Sequence, residues 1–326
     1  MIHIIKSIDK QEFEVDKRQV VYMGNNFIEA SYKCNPIEKK ILNLAVLKAN
    51  KREFPDKPNP HKAYPVTMSR KDLMDIVGLD TDKDFRHITK ACKSLNEKVL
   101  VYVDEEEKEI LTSSFITETK LNSGELKLYF YGRVIPFFNK LKERFTSYDL
   151  LQTKHFTGKY TIRFYELCKQ YENIGKRIIT IDKLRNMFQL QNKYLGSNGT
   201  ALFRKNVIDA AQKELKEKSE LYFEYKQNKE GRKITSITMI IRLNVSKIDK
   251  NFLFKRLDDY LASKTKKEFY TDIHKYYTKH QKTLSISDKQ TISGHLLKMP
   301  DPKTISESLL YHFFEWLEPK LDIELN

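Results

Sequence analysis

Arg204, Lys205 and Asn206 are three consecutive side chains suited to hydrogen bonding with the edges of another molecule. A guanidinium offers a planar fork of donors that fits the paired acceptors of guanine, and an ammonium offers a point charge to guanine or phosphate. A carboxamide both donates and accepts, as adenine requires. Gln212 repeats the carboxamide, and Lys213 and Lys216 follow on the same polar face, with Asp209 between. Such a set does not transfer protons or attack bonds. It suits recognition of a polyanion whose base edges can be read.

The stretch that must position them is FRKNVIDAAQKELKEK, residues 203–218. Its apolar Ile208, Ala211 and Leu215 recur at i, i+3 and i+7, which predicts a helix with one buried face. Behind it, LYFEYKQ and RKITSITMIIRL read as a β-hairpin turning at Asn228–Gly231, with Lys226, Lys229, Arg232 and Lys233 suited to phosphate. Ahead of it come the predicted helix TGKYTIRFYELCKQYE, the strand KRIITI and the short helix IDKLRNMFQL. Helix, strand, two helices and a hairpin is the order of a winged helix-turn-helix, in which the second helix of the pair enters the major groove.

The same order occurs upstream. Asn35-Pro-Ile-Glu38 carries a cap residue, a proline where no amide hydrogen is needed, and a glutamate to return a bond to the cap. After the Pro-rich loop FPDKPNPHKAYP come the extended YPVTMS, a short helix capped by Ser69 and ending at Gly78, and the helix FRHITKACKSLNEK. Strands VLVYV, EILTSSFITET and ELKLYFYGRV follow, with a turn at Asn122–Gly124. Ile88, Ala91 and Leu95 match the spacing of Ile208, Ala211 and Leu215, and DLMDIVGL matches KLRNMFQL, so order and spacing agree over about 60 residues, as expected of a repeat. The upstream helix offers Lys83, Arg86, His87, Lys90 and Lys93 to DNA. Its wing is expected to carry the acidic run Asp104–Glu107, which repels DNA; either this domain docks with its wing turned away or it contacts protein.

Charge supports a nucleic-acid partner. The 326 residues carry a net charge of +15, and residues 151–245 hold 19 basic against 9 acidic residues, an excess of ten. No apolar run approaches the roughly 20 residues of a membrane span, and the N-terminus turns charged too early for a secretion signal, so a soluble cytoplasmic protein is expected. Cys34, Cys92 and Cys168 are scattered and form no CxxC pair, which points to reduced, packed thiols and no metal site. None of the eight histidines forms a His-x-His pair of the kind that holds a nicking metal, and no Gly-x-x-x-x-Gly-Lys-[Ser/Thr] loop is present. No cofactor and no enzyme activity are expected.

The segments GNNFIEASYKCNPIEKKILNLAV, FTSYDLLQTKHFTGKYTIRFYELCKQY and FRKNVIDAAQKELKEKSELYFEYKQNKEGRKITSI together resemble the iteron-binding, theta-type plasmid replication initiator family. The pattern F-[KR]-x-x-V-[IL]-x-x-A-x-x-E-[IL], then LxxEY and GRKxxxI, fits from Phe203 to Ile237, and the resemblance covers about residues 20–245. Cys34-Asn35 stands where the family often has Leu-Thr or Leu-Ser, and Asn206 where a further basic residue can occur. The resemblance implies binding to direct repeats in double-stranded origin DNA, origin opening and recruitment of the host replicative helicase and initiator proteins. It also implies a monomer–dimer equilibrium and repression of the protein's own promoter. It places basic contacts on Arg204 and Lys205 and suggests phosphate contacts from Lys159 and Arg163. The alternatives are a tandem winged-helix repressor without an initiation role and a nicking or priming enzyme.

The expected architecture is α+β. It comprises an N-terminal arm (1–19), a first winged-helix domain (20–146), a second that is the main DNA reader (147–246), and a helical C-terminal extension (247–326). In the extension, SESLLYHFFEWLE and FLFKRLDDYLASK read as apolar helices that either pack on the core or meet a partner.

Overall fold

The computed structural model describes residues 19–244 apart from 79–81, 105–108, 140, 142–143 and 232. The expected C-terminal extension, and all but the last residue of the expected arm, lie outside the described residues. The described residues open with β1 (Val20–Gly24) and α1 (Asn25–Glu29), then α2 (Pro36–Asn50), β2 (Ala63–Ser69), α3 (Arg70–Val77) and α4 (Asp82–Asn96). Local chemistry sets these bounds as the sequence predicts. Asn35 and Ser69 each accept from the third helical amide while Glu38 and Asp72 return the bond, and Gly78 closes α3 at φ 74, in the left-handed region glycine enters without strain.

Four strands follow: β3 (Val99–Asp104), β4 (Glu109–Ser114), β5 (Ile116–Leu121) and β6 (Glu125–Tyr131). The expected strand EILTSSFITET is in fact two strands, broken at Phe115, whose ring is wholly buried against Phe27 and Tyr32. The break separates two hairpins. β5 and β6 pair with β2 in the order β2-β6-β5, whereas β3 and β4 form a sheet of their own. The wing of the first domain is therefore β5–β6, turning at Asn122–Gly124. Asp104, which opens the acidic run, ends β3 and pairs with Glu109 of β4, not with the wing, so the expectation that the run sits on the wing is corrected at that residue; residues 105–107 lie outside the described residues.

The second half contains β7 (Phe145–Asp149), α5 (Thr161–Gln170), β8 (Lys176–Thr180), α6 (Ile181–Met187), α7 (Gly199–Phe203), α8 (Ala210–Lys218), β9 (Leu221–Glu230) and β10 (Lys233–Leu243). Its sheet runs β8-β10-β9, the same connectivity as β2-β6-β5: the strand before the helix pair meets the last strand of the hairpin. Alternation buries one face of each sheet. Tyr64, Val66 and Met68 point inward opposite Phe130, Leu128 and Leu126, and Ile179 opposes Ile237. The helix pairs plus these sheets make two tandem winged helices.

The two domains share one continuous apolar core. Within the second half α5 is the packing centre, stacking Phe164 on Phe223 at 5.2 Å and placing Tyr165 edge-on to Tyr148 and Phe156. Each such ring removed from water stabilises the fold by roughly 1.5–3 kcal/mol. β1 pairs with β7 from Val20↔Asp149 to Gly24↔Phe145, so position 146/147 falls inside a strand that is paired with the first domain.

Candidate nucleic-acid interface

One rod from Gly199 to Lys218 presents the residues singled out first. It runs α7, a π-helical stretch at Arg204–Asp209, then α8. Phe203, Val207, Ile208, Ala211, Glu214 and Leu215 form its buried face. The wide π turn lets Val207 and Ile208 both pack inward while Lys205 and Asn206 stay outside.

Both ends of the rod are fastened. At the head, Arg185 donates to the carbonyls of Lys193 (2.8 Å) and Tyr194 (3.0 Å), and its guanidinium lies 5.0 Å from the Phe203 ring. The loop comes so close that a Cβ on Gly199 would lie 1.9 Å from the Tyr194 carbonyl oxygen, which only glycine avoids. At the tail, the Glu214 carboxylate accepts from the amides of Thr157 (2.8 Å) and Gly158 (2.7 Å), the hydroxyls of Thr157 and Thr161, and the Lys218 ammonium (2.8 Å). Burial pushes this carboxyl up, but Lys218 and the four other donors outweigh it and bring it down to about 2.

Lys205, Asn206 and Lys213 project into solvent, and neither Lys205 nor Asn206 has a hydrogen-bonding or ionic partner among the described residues. Lys213 lies 3.9 Å from Glu217. Arg204 is half-exposed, its Nε 3.9 Å from Asp209, which also accepts from the Tyr225 hydroxyl of the wing. Lys216 lies over the Tyr222 ring at 5.5 Å. On the wing, Lys226, Lys229 and Lys233 are exposed with no ion pair among the described residues; Arg232 lies outside them. In the first domain Arg86, His87, Lys90 and Lys93 share the exposed face of α4, while the side chain of Lys83 is not among those described. The wing of the first domain differs in charge: Lys120 and Lys127 are paired with Glu118 (3.3 Å) and Glu125 (2.7 Å).

Two expectations are corrected. Gln212 donates its amide to the Phe223 carbonyl at 3.0 Å, so it ties the rod to β9 and does not face outward to read a base. Arg163 does not reach phosphate. It is 5% exposed, and its guanidinium donates to the carbonyls of Ile28 (2.8 Å), Ala30 (2.9 Å), Tyr32 (3.2 Å) and Met187 (3.4 Å) while lying 3.8 Å from the Tyr32 ring. It closes the joint between the domains by satisfying carbonyls at the end of α1 and beyond.

A second buried group joins the domains beside it. Lys39 of α2 reaches Glu166 of α5 at 2.9 Å and the Tyr32 hydroxyl at 2.8 Å, while Tyr148 and Asn43 donate to the same Glu166 oxygen. Burial opposes the Lys39 charge, but the Glu166 carboxylate prevails and holds the ammonium above its ordinary range. Lys159, by contrast, is exposed at the outer edge of this joint. Burial and then the positive charges of Lys33, Lys193 and Lys98 hold its ammonium below the ordinary lysine range. Lysines from both domains thus act electrostatically on Lys159, and of these Lys98 is also paired with Glu38 at 3.4 Å. Sequence reading found only Lys159 of the four, because Lys33, Lys98 and Lys193 meet it only once Gln189 and Ser31 bring the domains together, with Ser31 bonded to the Asn186 carbonyl at 2.7 Å and bridged to Val101.

Among the described residues no group of three or more His, Cys, Asp or Glu side chains could hold a metal ion, and no helix is long and apolar enough to cross a membrane. The three cysteines are buried, and burial pushes the thiols of Cys34 and Cys92 up to about 12 and about 11.

Comparison with known proteins bears on this arrangement. The family profile described as "Initiator Replication protein, WH1" matches residues 20–169, and that described as "Initiator Rep protein, WH2" matches 180–241. A replication initiation protein of Escherichia coli is 23% identical over 181 residues, covering 54% of this chain; the chain spans about half, 56%, of that relative. The structure of Pi initiator protein in complex with iteron DNA matches with a TM-score of 0.51 at 18% identity, covering 71% of this chain and 99% of that one, and supports the fold. Domains 2 and 3 of RctB match over 66% of this chain with a TM-score of 0.37 and 10% identity, too distant to bear on it. Two profiles in the right order, falling on two winged helices of matching connectivity, mean that this chain belongs to the replication initiator family with paired winged-helix domains.

Proposed function

We propose that the chain is a plasmid replication initiator that binds short direct repeats of double-stranded DNA at an origin. The observation that carries this reading is the outward, unpartnered pair Lys205 and Asn206 on a rod fastened at both ends and flanked by the unpaired wing lysines. A rigid helix bearing free donors suits base edges in the major groove, and lysines without carboxylate partners suit the phosphates on either side. Arg204, Lys213 and Lys216 extend the same surface, with Lys229 and Lys233 on the wing; Arg232, proposed with them from the sequence, lies outside the described residues. On α4, Lys83, Arg86, His87 and Lys90 give the first domain a comparable basic helix, and moving the acidic run off its wing removes the obstacle to its docking on DNA.

The seam lysines Lys33, Lys98, Lys159 and Lys193 are assigned to phosphate between the two helices. Bound in this way, the protein would open the adjacent origin and recruit the host helicase and initiator proteins, acting without enzymatic chemistry and exchanging between monomer and dimer. The deciding experiment is a titration of the full chain on duplexes it enriches from a random pool. The double variant Lys205→Ala/Asn206→Ala should bind those duplexes at least about tenfold more weakly, at roughly 1–3 kcal/mol per specific contact, with an unchanged melting temperature. Equal affinity would remove the rod from the interface. Supercoiled origin DNA incubated with the protein and Mg²⁺ should stay unnicked; open circles would make the protein an enzyme.

A further inference from the structure

We propose that Leu202 reads the C5-methyl group of a thymine; this rests on the reading that the rod enters the major groove. Leu202 is 47% exposed although it belongs to the same helix whose other large apolar side chains are buried. It stands three and four residues before Lys205 and Asn206, about one helical turn away, and all three are exposed. Ala201 and Ala210 are exposed on the same half of the rod.

The trailing half is different. Lys213, Lys216, Glu217 and Lys218 are its exposed residues, as expected for a helix facing only water, in a chain that is 32% charged. The leading half instead pairs free polar groups with small and branched apolar ones. That mixture matches the major-groove edge of an A·T pair, which offers adenine's acceptor and donor beside a methyl group. The alanines permit a close approach, Asn206 can take the adenine edge, and Leu202 is the one large apolar group on that face. A protein partner fits less well, because the neighbouring polar groups along the rod, Lys205 and Asn206, are exposed and unpaired among the described residues, and Asp209 is already engaged by Arg204 and Tyr225.

The test uses duplexes enriched from a random pool by the full chain, each thymine then replaced singly by deoxyuridine, which removes only the methyl. At one position the native protein should lose about fourfold in affinity, the value of one methyl taken out of water. Leu202→Ala should bind the thymine and deoxyuridine duplexes equally there, and Leu202→Met should restore the difference. If the variant loses as much as the native protein, another residue reads the methyl and the inference is wrong. It is equally wrong if no position responds. If the native protein enriches no sequence at all, the major-groove reading fails first, and the inference with it. A variant that keeps both affinity and the methyl response while losing a protein partner would assign Leu202 to protein contact instead.

Discussion

Glu214 ties the tail of the Gly199–Lys218 rod to the start of α5, and its removal has a calculable effect. The carboxyl is brought from its ordinary 4.5 to about 2, which corresponds to about 3 kcal/mol of preference for the folded state. One of its five donors, Lys218, is about a third exposed and screened by water, so about 2 kcal/mol is the figure expected. Because the folded value lies below the unfolded one, this stabilisation is complete above about pH 5. It is lost as the pH falls from 4.5 toward 2. Glu214→Gln keeps the shape, loses the charge and turns an amide toward donors.

Urea unfolding followed by circular dichroism at pH 7, 5 and 3 reads the effect. The variant should be about 2 kcal/mol less stable at pH 7 and nearly as much at pH 5. By pH 3 about half of the gap should have closed, since the native carboxyl is then the group losing its advantage. A gap of constant size from pH 7 to pH 3 would show that the carboxylate charge contributes nothing and that the loss comes only from turning an amide toward the donors. No gap at pH 7 would refute the whole account of how the tail is held.

Arg163→Ala should lower stability by about 3–5 kcal/mol, since four carbonyls at the joint lose their donor, while the salt dependence of DNA binding by the protein that remains folded stays unchanged; a shallower salt slope would return Arg163 to the interface. Lys33→Ala/Lys159→Ala/Lys193→Ala should reduce the slope of log affinity against log salt by about 0.9 for each phosphate that is no longer neutralised, without altering which duplexes are preferred. An unchanged slope would leave these lysines facing water only. Gly199→Ala forces the Tyr194 carbonyl away from the head of the rod, so DNA affinity should fall more than the melting temperature does; equal affinity would mean the loop is free to yield.

The sequence displayed what depends on local chemistry. The caps at Asn35 and Ser69 and the left-handed Gly78 are properties of a few adjacent side chains, and the i, i+3, i+7 spacings of Ile88/Ala91/Leu95 and Ile208/Ala211/Leu215 show which face is buried. What depends on distant partners was hidden. Arg163 reads as one more exposed cation until four carbonyls, three of them more than 130 residues away in sequence, are seen around it. Gln212 has the residue type a base reader needs, and only the position of β9 shows that its amide is already engaged. The break at Phe115 is marked in EILTSSFITET by no Gly, Pro, Asn or Asp, only by two serines, and the ring that turns inward there finds Phe27 and Tyr32, partners far away in sequence. Leu202 carried a readable signal, a leucine on the charged side of an amphipathic pattern, but periodicity averages such single exceptions away.

The π turn at Arg204–Asp209 has a mechanical meaning. An ordinary α-helix advances about 100° per residue, so one residue added or removed anywhere rotates everything beyond it by that angle. Here the tail is locked by Glu214 and the head by Gly199 against Tyr194, and between them lies one turn wound wider than its neighbours. That turn acts as a slip joint: deleting a residue within it would tighten the winding and swing Lys205 and Asn206 around the axis while leaving both anchors seated. The surface that carries Lys205 and Asn206 can be re-aimed by a single-codon deletion without dismantling the domain that holds it.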